Sequence, residues 1–314
     1  MSFSVIIPCH NDSENIVEAL ASVASQHLPA DEVIVVDDAS TDDSVSVVKQ
    51  TGIAAKILQV DVRNAAAARN AGIAEASCDY IAFLDADNIW LADHLRIAAQ
   101  LLQDGRSVFC FLPSVVSGRD IPPANTEHIH PAYPFKKATC DLTRDDFVRS
   151  YLHHGWGFAT TGMAVQRERL SEIGGFDISQ PRRHDFEMMM RAIDDRAWCT
   201  APNATWWSRP PREGNISANV PICAYYALRA LTLNQPSFDS DNYRKLLSKA
   251  ALNACKNAVF SGDRKLINDA KALARPHLGV RERAKLAVFT AVPQRWRGRL
   301  IRSSPLPGTD RVAK

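Results

Sequence analysis

The sequence predicts an α/β protein: an open, doubly wound, mainly parallel sheet flanked by helices, followed by a helical C-terminal extension. Three observations predict it. Over residues 1–103 short β-branched runs alternate with segments of helical spacing, the pattern of parallel strands joined by crossover helices. The strand-like runs end in polar and acidic residues, at the sheet edge where such folds bind ligands. From residue 221 onward the spacing is helical.

Each element follows from local pattern. Residues 4–8 (SVIIP) are an apolar run, as a buried parallel strand requires. Residues 11–26 set Ile16, Leu20 and Val23 on one helical face, with Asp12-Ser13-Glu14 as the cap. Residues 32–36 (EVIVV) read as the second strand, 42–51 as the second helix, 55–60 as the third strand and alanine-rich 65–76 as the third helix. Residues 80–84 (YIAFL) and 91–103 add a fourth strand and helix. A fifth strand is expected at 107–116, then a proline-rich polar excursion at 118–134. A strand at 162–165 leads into a helix through Ile173 and a turn at Gly174-Gly175. Residues 185–194 read as helix, and 200–211, with Trp206 and Trp207, as irregular or a short strand. Residues 221–277 read as helices broken near 234–236 and 261–263.

The 314 residues suit one large α/β domain with an appendage, here divided as 1–220 and 221–314. Hydrophobic residues at 46% and charged residues at 23% allow an ordinary folded core. A formal net charge of +2 gives no bias toward nucleic acid. The seven cysteines are scattered and form no C-x-x-C pair, which argues against a disulfide framework or a cysteine zinc site and for a reducing cytoplasm. Neither a signal peptide nor an apolar run of ~20 residues is expected, so the chain should not cross a membrane by itself. The His128 and His130 pair reads as an exposed loop rather than a zinc site. P-loop, dinucleotide and nucleophile-elbow motifs are absent.

The sharpest chemical feature is Asp85-Ala86-Asp87, directly after the YIAFL run. Two carboxylates two residues apart at a strand end can converge on a hard cation, Mg²⁺ or Mn²⁺, which bridges to diphosphate oxygens. In isolation the same tripeptide is a surface turn with solvated acids; its place at the ligand edge of the sheet favours the metal. A second acidic cluster, Asp37-Asp38-Ala39-Ser40-Thr41-Asp42, follows the second strand. Ser40 or Thr41 would cap the next helix and Asp42 and Asp43 would suit its dipole. Capping leaves Asp37 and Asp38 unexplained, and a carboxylate there can accept a nucleobase N–H.

In order, SVIIPCHN, VIVVDDASTDDS, ARNAGIAEASCDYIAFLDADN, SEIGGFD and HDFEMMMR resemble the motifs of the family 2 glycosyltransferases, inverting enzymes of the GT-A fold, over residues 2–217. The resemblance implies a nucleotide-sugar donor, typically UDP-linked, bound by residues 1–115 and an acceptor bound by residues 116–220. It puts Pro8 and His10 in the nucleoside pocket and Asp38 on the base. Arg69 would approach the donor diphosphate or buttress the pocket. Asp85 would serve the ribose and metal, Asp87 the metal and diphosphate. Asp185 matches the catalytic base, which deprotonates the acceptor hydroxyl as it attacks the anomeric carbon; from spacing alone it is a charge favoured by a helix N-terminus.

Four positions depart from the family pattern. His184 stands at a usual glutamate, on the acceptor side. Asn88 replaces a frequent aspartate, and Asn64 a common glycine. Arg212 replaces a histidine; a guanidinium cannot ligate a metal, but its fork suits the donor diphosphate. Trp156 is a candidate acceptor-stacking ring, core packing being its ordinary alternative. The basic segment 281–302 mixes Leu286, Val288, Phe289 and Val292 with Arg295, Trp296, Arg297, Arg299 and Arg302. It suits either peripheral contact with an anionic membrane or a helix packed on the catalytic domain with solvated arginines. The expected activity is transfer of a single sugar to a glycan or lipid-linked glycan hydroxyl in surface polysaccharide biosynthesis. The alternatives are a sugar nucleotidyltransferase, whose glycine-rich loop is missing after the first strand, and a non-catalytic glycan-binding protein.

Overall fold

The computed structural model describes residues 1–115, 134–154, 159–209, 219–237 and 240–292. In chain order the elements begin β1 (Phe3–Cys9), α1 (Ile16–Ala24), β2 (Glu32–Asp38), α2 (Ser44–Gln50), β3 (Lys56–Val60), α3 (Ala65–Glu75) and β4 (Tyr80–Phe83). Then come β5 (Asn88–Trp90), α4 (His94–Leu102), β6 (Ser107–Phe111), β7 (Thr139–Leu142), α5 (Arg144–His154), β8 (Met163–Gln166) and α6 (Arg167–Glu172). The remainder is α7 (His184–Ala192), β9 (Ala197–Thr200), β10 (Trp206–Ser208), α8 (Val220–Asn234), α9 (Asp241–Ser261), α10 (Arg264–Ala274) and α11 (Val280–Ala291). They fall into two compact units, one of Met1–Thr143, Phe158–Ser179 and Arg191–Pro210, the other of Arg144–Gly157, Gln180–Met190 and Pro211–Lys314.

The first unit holds a mainly parallel sheet in the order β3-β2-β1-β4-β8-β6-β9-β7, flanked by helices. β3, β2, β1 and β4 run parallel, so their carboxyl ends share one edge; β8 runs antiparallel between β4 and β6. Val5, Ile6 and Ile7 are wholly buried because β1 is central and covered on both faces. α3 packs closely there: a Cβ on Gly72 would stand 2.6 Å from Ile6 Cγ2, so that position takes glycine. At the shared carboxyl edge Asn11, Ala39 and Arg63 all have left-handed backbone, with φ of 51°, 54° and 47°. Non-glycine residues hold such a conformation only where surrounding bonds fix it. Here Ser40 Oγ binds Asn11 N, Val60 O binds Ala39 N, and Asp38 binds Arg63 N.

Several local expectations change. α1 starts at Ile16, and the N–H groups of Asn15 and Ile16 bond the Asp12 carbonyl, so no Asp12-Ser13-Glu14 side chain caps it. α2 starts at Ser44; the carboxylate of Asp42, not Ser40 or Thr41, accepts the Ser44 N–H at 3.0 Å. α4 begins at His94 because residues 88–90 form β5, paired antiparallel with β10. The fifth strand ends at Phe111 rather than 116.

The second unit, in its described residues, is helical. α8 is capped by Asn219 and α9 by Ser240, and α9 ends at Gly262 in left-handed conformation (φ 76°), where glycine costs least. Asp263 then caps α10. These stops fall at the expected breaks. Among the described residues no helix is long and apolar enough to cross a membrane. In α11, Phe289 is buried with Lys256 Nζ over its ring at 5.6 Å, whereas Val288 is exposed. Phe289 therefore packs inward, on Lys256 of α9 in the same unit. Arg295, Trp296, Arg297, Arg299 and Arg302 lie outside the described residues, as do His128 and His130.

Candidate active site

The acidic tripeptide forms a tight turn between β4 and β5, closed by Asn88 N donating to Asp85 O at 2.9 Å. Thr161 holds the turn from below. Its hydroxyl accepts from Asp85 N at 3.1 Å and Asn88 Nδ2 at 2.8 Å, and its carbonyl accepts from Trp90 Nε1 at 2.9 Å. Asn88 thus braces the turn through its amide nitrogen.

Buried Arg69, from α3, donates through Nη2 to Asp85 Oδ1 at 2.5 Å, and Thr160 Oγ1 donates to the same oxygen at 3.0 Å. The Asp85 side chain keeps 27% of its exposure and Arg69 only 6%, so the pair sits at the floor of the edge. Arg69 Nη1 also donates to Ala65 O at 3.1 Å. The guanidinium rests 5.7 Å from the Phe176 ring, which meets Phe83 edge-on at 5.4 Å. Asn70 bonds both backbone groups of Phe176, at 2.8 and 2.9 Å. Gly175, at φ 68°, lets the chain pass against Asn70, where any Cβ would collide with the amide. Nothing in the sequence singled out Thr160 or Thr161, whereas Phe176 lies within the SEIGGFD motif.

At the β2 end, the buried Asp38 carboxylate accepts from Val62 N and Arg63 N at 2.8 Å and from Asn64 N at 2.9 Å. A carboxylate has about four lone-pair sites, so one is left for a base N–H. Asn64 in turn caps α3, accepting from Ala66 N at 2.9 Å and Ala67 N at 3.2 Å, which explains the side chain at that position. His10 Nδ1 is 2.6 Å from the Asp38 carbonyl, and Pro8 lies in β1 opposite Val36 of β2. Pro8, His10, Asp38, Arg69, Asp85 and Asp87 therefore all belong to one carboxyl edge of the first unit. Asp85 and Asp87 are hard oxygen donors on one turn, a donor set that fits Mg²⁺ or Mn²⁺. Among the described residues no cluster of three or more ligating side chains joins them.

In the second unit, His184 and Asp185 occupy the first turn of α7. Asp185 Oδ1 accepts from Phe186 N at 2.8 Å. Phe186 packs on Tyr151 of α5 with ring centroids 4.8 Å apart, which fixes where the helix starts. Burial pushes the Tyr151 hydroxyl up from its ordinary pKa, against the opposing influence of Arg183. Burial works against the Arg183 charge, but Tyr151 and Asp185 raise its pKa above the usual value. Trp156 and Arg212 lie outside the described residues.

The family model for glycosyl transferase family 2 matches residues 4–168. The amylovoran biosynthesis glycosyltransferase AmsB of Erwinia amylovora is 31% identical over 203 residues, 61% of this chain and 64% of that protein. The poly(ribitol-phosphate) β-N-acetylglucosaminyltransferase TarS of Staphylococcus aureus is 32% identical over 129 residues, 39% of this chain and 22% of its own length. The chain thus matches less than two-thirds of either relative. Among solved structures, TarS 1-349 in complex with UDP-GlcNAc superposes with a TM-score of 0.65 at 19% identity, over 98% of this chain and 88% of that one. The mannosyltransferase PcManGT of Pyrobaculum calidifontis, in complex with GDP-Man and Mn²⁺, gives 0.59 at 21% identity, over 96% and 84%. Both likenesses show the GT-A fold.

Proposed function

Because the chain belongs to glycosyl transferase family 2, we propose that it is an inverting glycosyltransferase. It moves a single sugar, hexosyl or N-acetylhexosaminyl, from a UDP-linked donor to a glycan or lipid-linked glycan hydroxyl in surface polysaccharide biosynthesis. The observation that carries this reading is the anchoring of Asp85 by Arg69 and Thr160 at the same sheet edge as Asp38. The names of AmsB and TarS support the polysaccharide setting and a sugar donor.

Asp85 and Asp87 would hold Mg²⁺ or Mn²⁺, which, when bound, supplies Lewis-acid stabilisation of the departing diphosphate. Arg69 and Thr160 fix the Asp85 carboxylate so that no reorganisation is needed as donor binds. Asp38 secures loop 62–64 and offers its remaining lone pair to the base, beside Pro8 and His10. Arg212 contacts the donor diphosphate. Asp185 takes the proton of the attacking hydroxyl, and one displacement inverts the anomeric centre. Trp156 and His184 belong to the acceptor side.

Nucleoside diphosphate release from UDP-sugars with an acceptor glycan, with the product anomer read by NMR, tests this directly. Asp185→Asn should lower transfer at least a hundredfold while UDP still raises the melting temperature. Full transfer by that variant removes Asp185 from the mechanism.

A further inference from the structure

The described C-terminal helices concentrate positive charge. Residues 240–292 hold eleven Lys and Arg against four Asp and Glu, a net of +7, whereas the whole chain has +2. Part of that charge lines a groove of about 440 Å³ between α9 and α11. Arg244, Lys245 and Lys249 of α9 and Lys285 of α11 are its cations, Asp241 and Glu282 its carboxylates. Arg244 pairs with Asp241 at 2.6 Å. Lys245, Lys249 and Lys285 are exposed and form no ion pair with a described residue, so three cations share the one carboxylate of Glu282.

α11 adds an apolar face beside this groove. Its inner side is set on α9 by buried Phe289, with Leu286 and Glu282 half-buried one and two turns earlier. At ~3.6 residues per turn the opposite side presents Val280, Ala284, Ala287, Val288 and Ala291, all exposed. Val280 keeps 86% and Val288 66% of its exposure. No charge interrupts that side. Arg281 and Lys285, one turn apart, border it on one flank and Arg283 on the other. Arg283 donates to the carbonyls of Leu278 at 2.9 Å and Arg275 at 3.5 Å. Lys285 stands between the valines and the lysines of α9, so the apolar side and the groove are continuous.

We propose that the α9–α11 surface rests on an anionic bilayer, with Val280 and Val288 entering the headgroup boundary and Lys245, Lys249 and Lys285 on lipid phosphates. Charge selects this occupant. A second copy of the chain would bring the same net +7 against the same face. The chain beyond α11 is no better suited, because 293–302 adds Arg295, Arg297, Arg299 and Arg302 and no carboxylate. Nucleic acid would match the charge but offers the valines no apolar phase. An anionic bilayer supplies both: its surface attracts lysine and arginine, and its acyl boundary takes the apolar side of a helix lying in the interface plane. The contact does not depend on the donor-site reading. Where the acceptor is lipid-linked, it brings the chain to the surface that holds that acceptor.

Co-flotation of the full chain with phosphatidylcholine vesicles containing about one-third phosphatidylglycerol tests the proposal, pure phosphatidylcholine being the control. The anionic vesicles should bind at least tenfold more tightly, and added salt should weaken them toward the control. Lys245→Gln/Lys249→Gln/Lys285→Gln should weaken binding to the anionic vesicles at least tenfold. Val280→Ser/Val288→Ser, which leaves every charge in place, should weaken it about fivefold at fixed salt with an unchanged salt dependence. All five side chains are exposed, so both variants should melt with the unmodified protein. No binding by the unmodified protein overturns the proposal. So does binding that survives both sets of substitutions, as it would if the arginines of 293–302 alone carried it, or dimers that the serine substitutions dissolve without any vesicle binding. UDP with Mn²⁺, read by melting, reports the donor site separately, so failure of the glycosyltransferase reading shows there and not in the flotation.

Discussion

Asp85 gains its meaning from its neighbours. Breaking a fully buried ion pair costs about 3–5 kcal/mol; Asp85 keeps a share of solvent, so Arg69→Ala should cost about 2 kcal/mol in urea unfolding. The same variant should weaken UDP binding at least tenfold, since the carboxylate loses its fixed position. Asp38→Asn replaces an acceptor of three backbone N–H groups by an amide with one acceptor oxygen. Loss of at least one of those bonds predicts about 1–3 kcal/mol, read by the same unfolding experiment. Asp85 and Asp87 stood out from sequence because they close a strand; Arg69 stood out only through the family resemblance, its place on a helix carrying no pattern of its own. Thr160 and Thr161 did not stand out at all: they reach Asp85 from 75 and 76 residues away and carry no pattern of their own. Asn64 lay between these cases. It stood out as a departure from the family, whereas a helix cap before an alanine run would have explained it from sequence.

Elements behave as the packing rules require, and their errors have physical causes. The parallel half of the sheet was legible because β1, β2 and β4 are apolar runs at regular spacing. β5, β7 and β9, of three or four residues, were missed; the equally short β4 and β8 were found through the apolar runs that carry them. α3 must approach β1 closely, so Gly72→Ala should destabilise by about 1–3 kcal/mol, measured by thermal or urea unfolding. α4 offers a pH prediction. His94, its first residue, is fully buried, stacks on Trp90 at 4.1 Å and lies 2.8 Å from Thr205 Oγ1. Burial pushes its pKa down from 6.5 to about 3. The unfolded chain takes up that proton near 6.5 and the folded chain only near 3. Stability is therefore lost as pH falls through this window, by up to about 1.4 kcal/mol per pH unit. His94→Gln should flatten the urea-midpoint profile between pH 6 and 4; an unchanged slope would show that other groups carry the acid sensitivity.

At the scale of the molecule, the described residues form a sheet unit carrying the donor-side candidates and a helical unit carrying Asp185. The ordered motifs put the donor-side candidates in 1–115 and Asp185 in 116–220 of a single domain, whereas in the structure Asp185 groups with the C-terminal helices. The central claim is that the Asp85–Asp87 edge binds a nucleotide-sugar together with a divalent cation. The most direct measurement is thermal unfolding of the full chain with UDP, UDP-sugars and GDP-mannose, each with and without Mn²⁺. A ligand at a hundred times its Kd stabilises the native state by about 2.7 kcal/mol. A shift of roughly 5–10 °C follows for a domain of this size. The account predicts that shift for UDP or a UDP-sugar in Mn²⁺, and its loss in Asp85→Asn/Asp87→Asn. Unchanged melting with every nucleotide, or a shift that survives the double substitution, would contradict it.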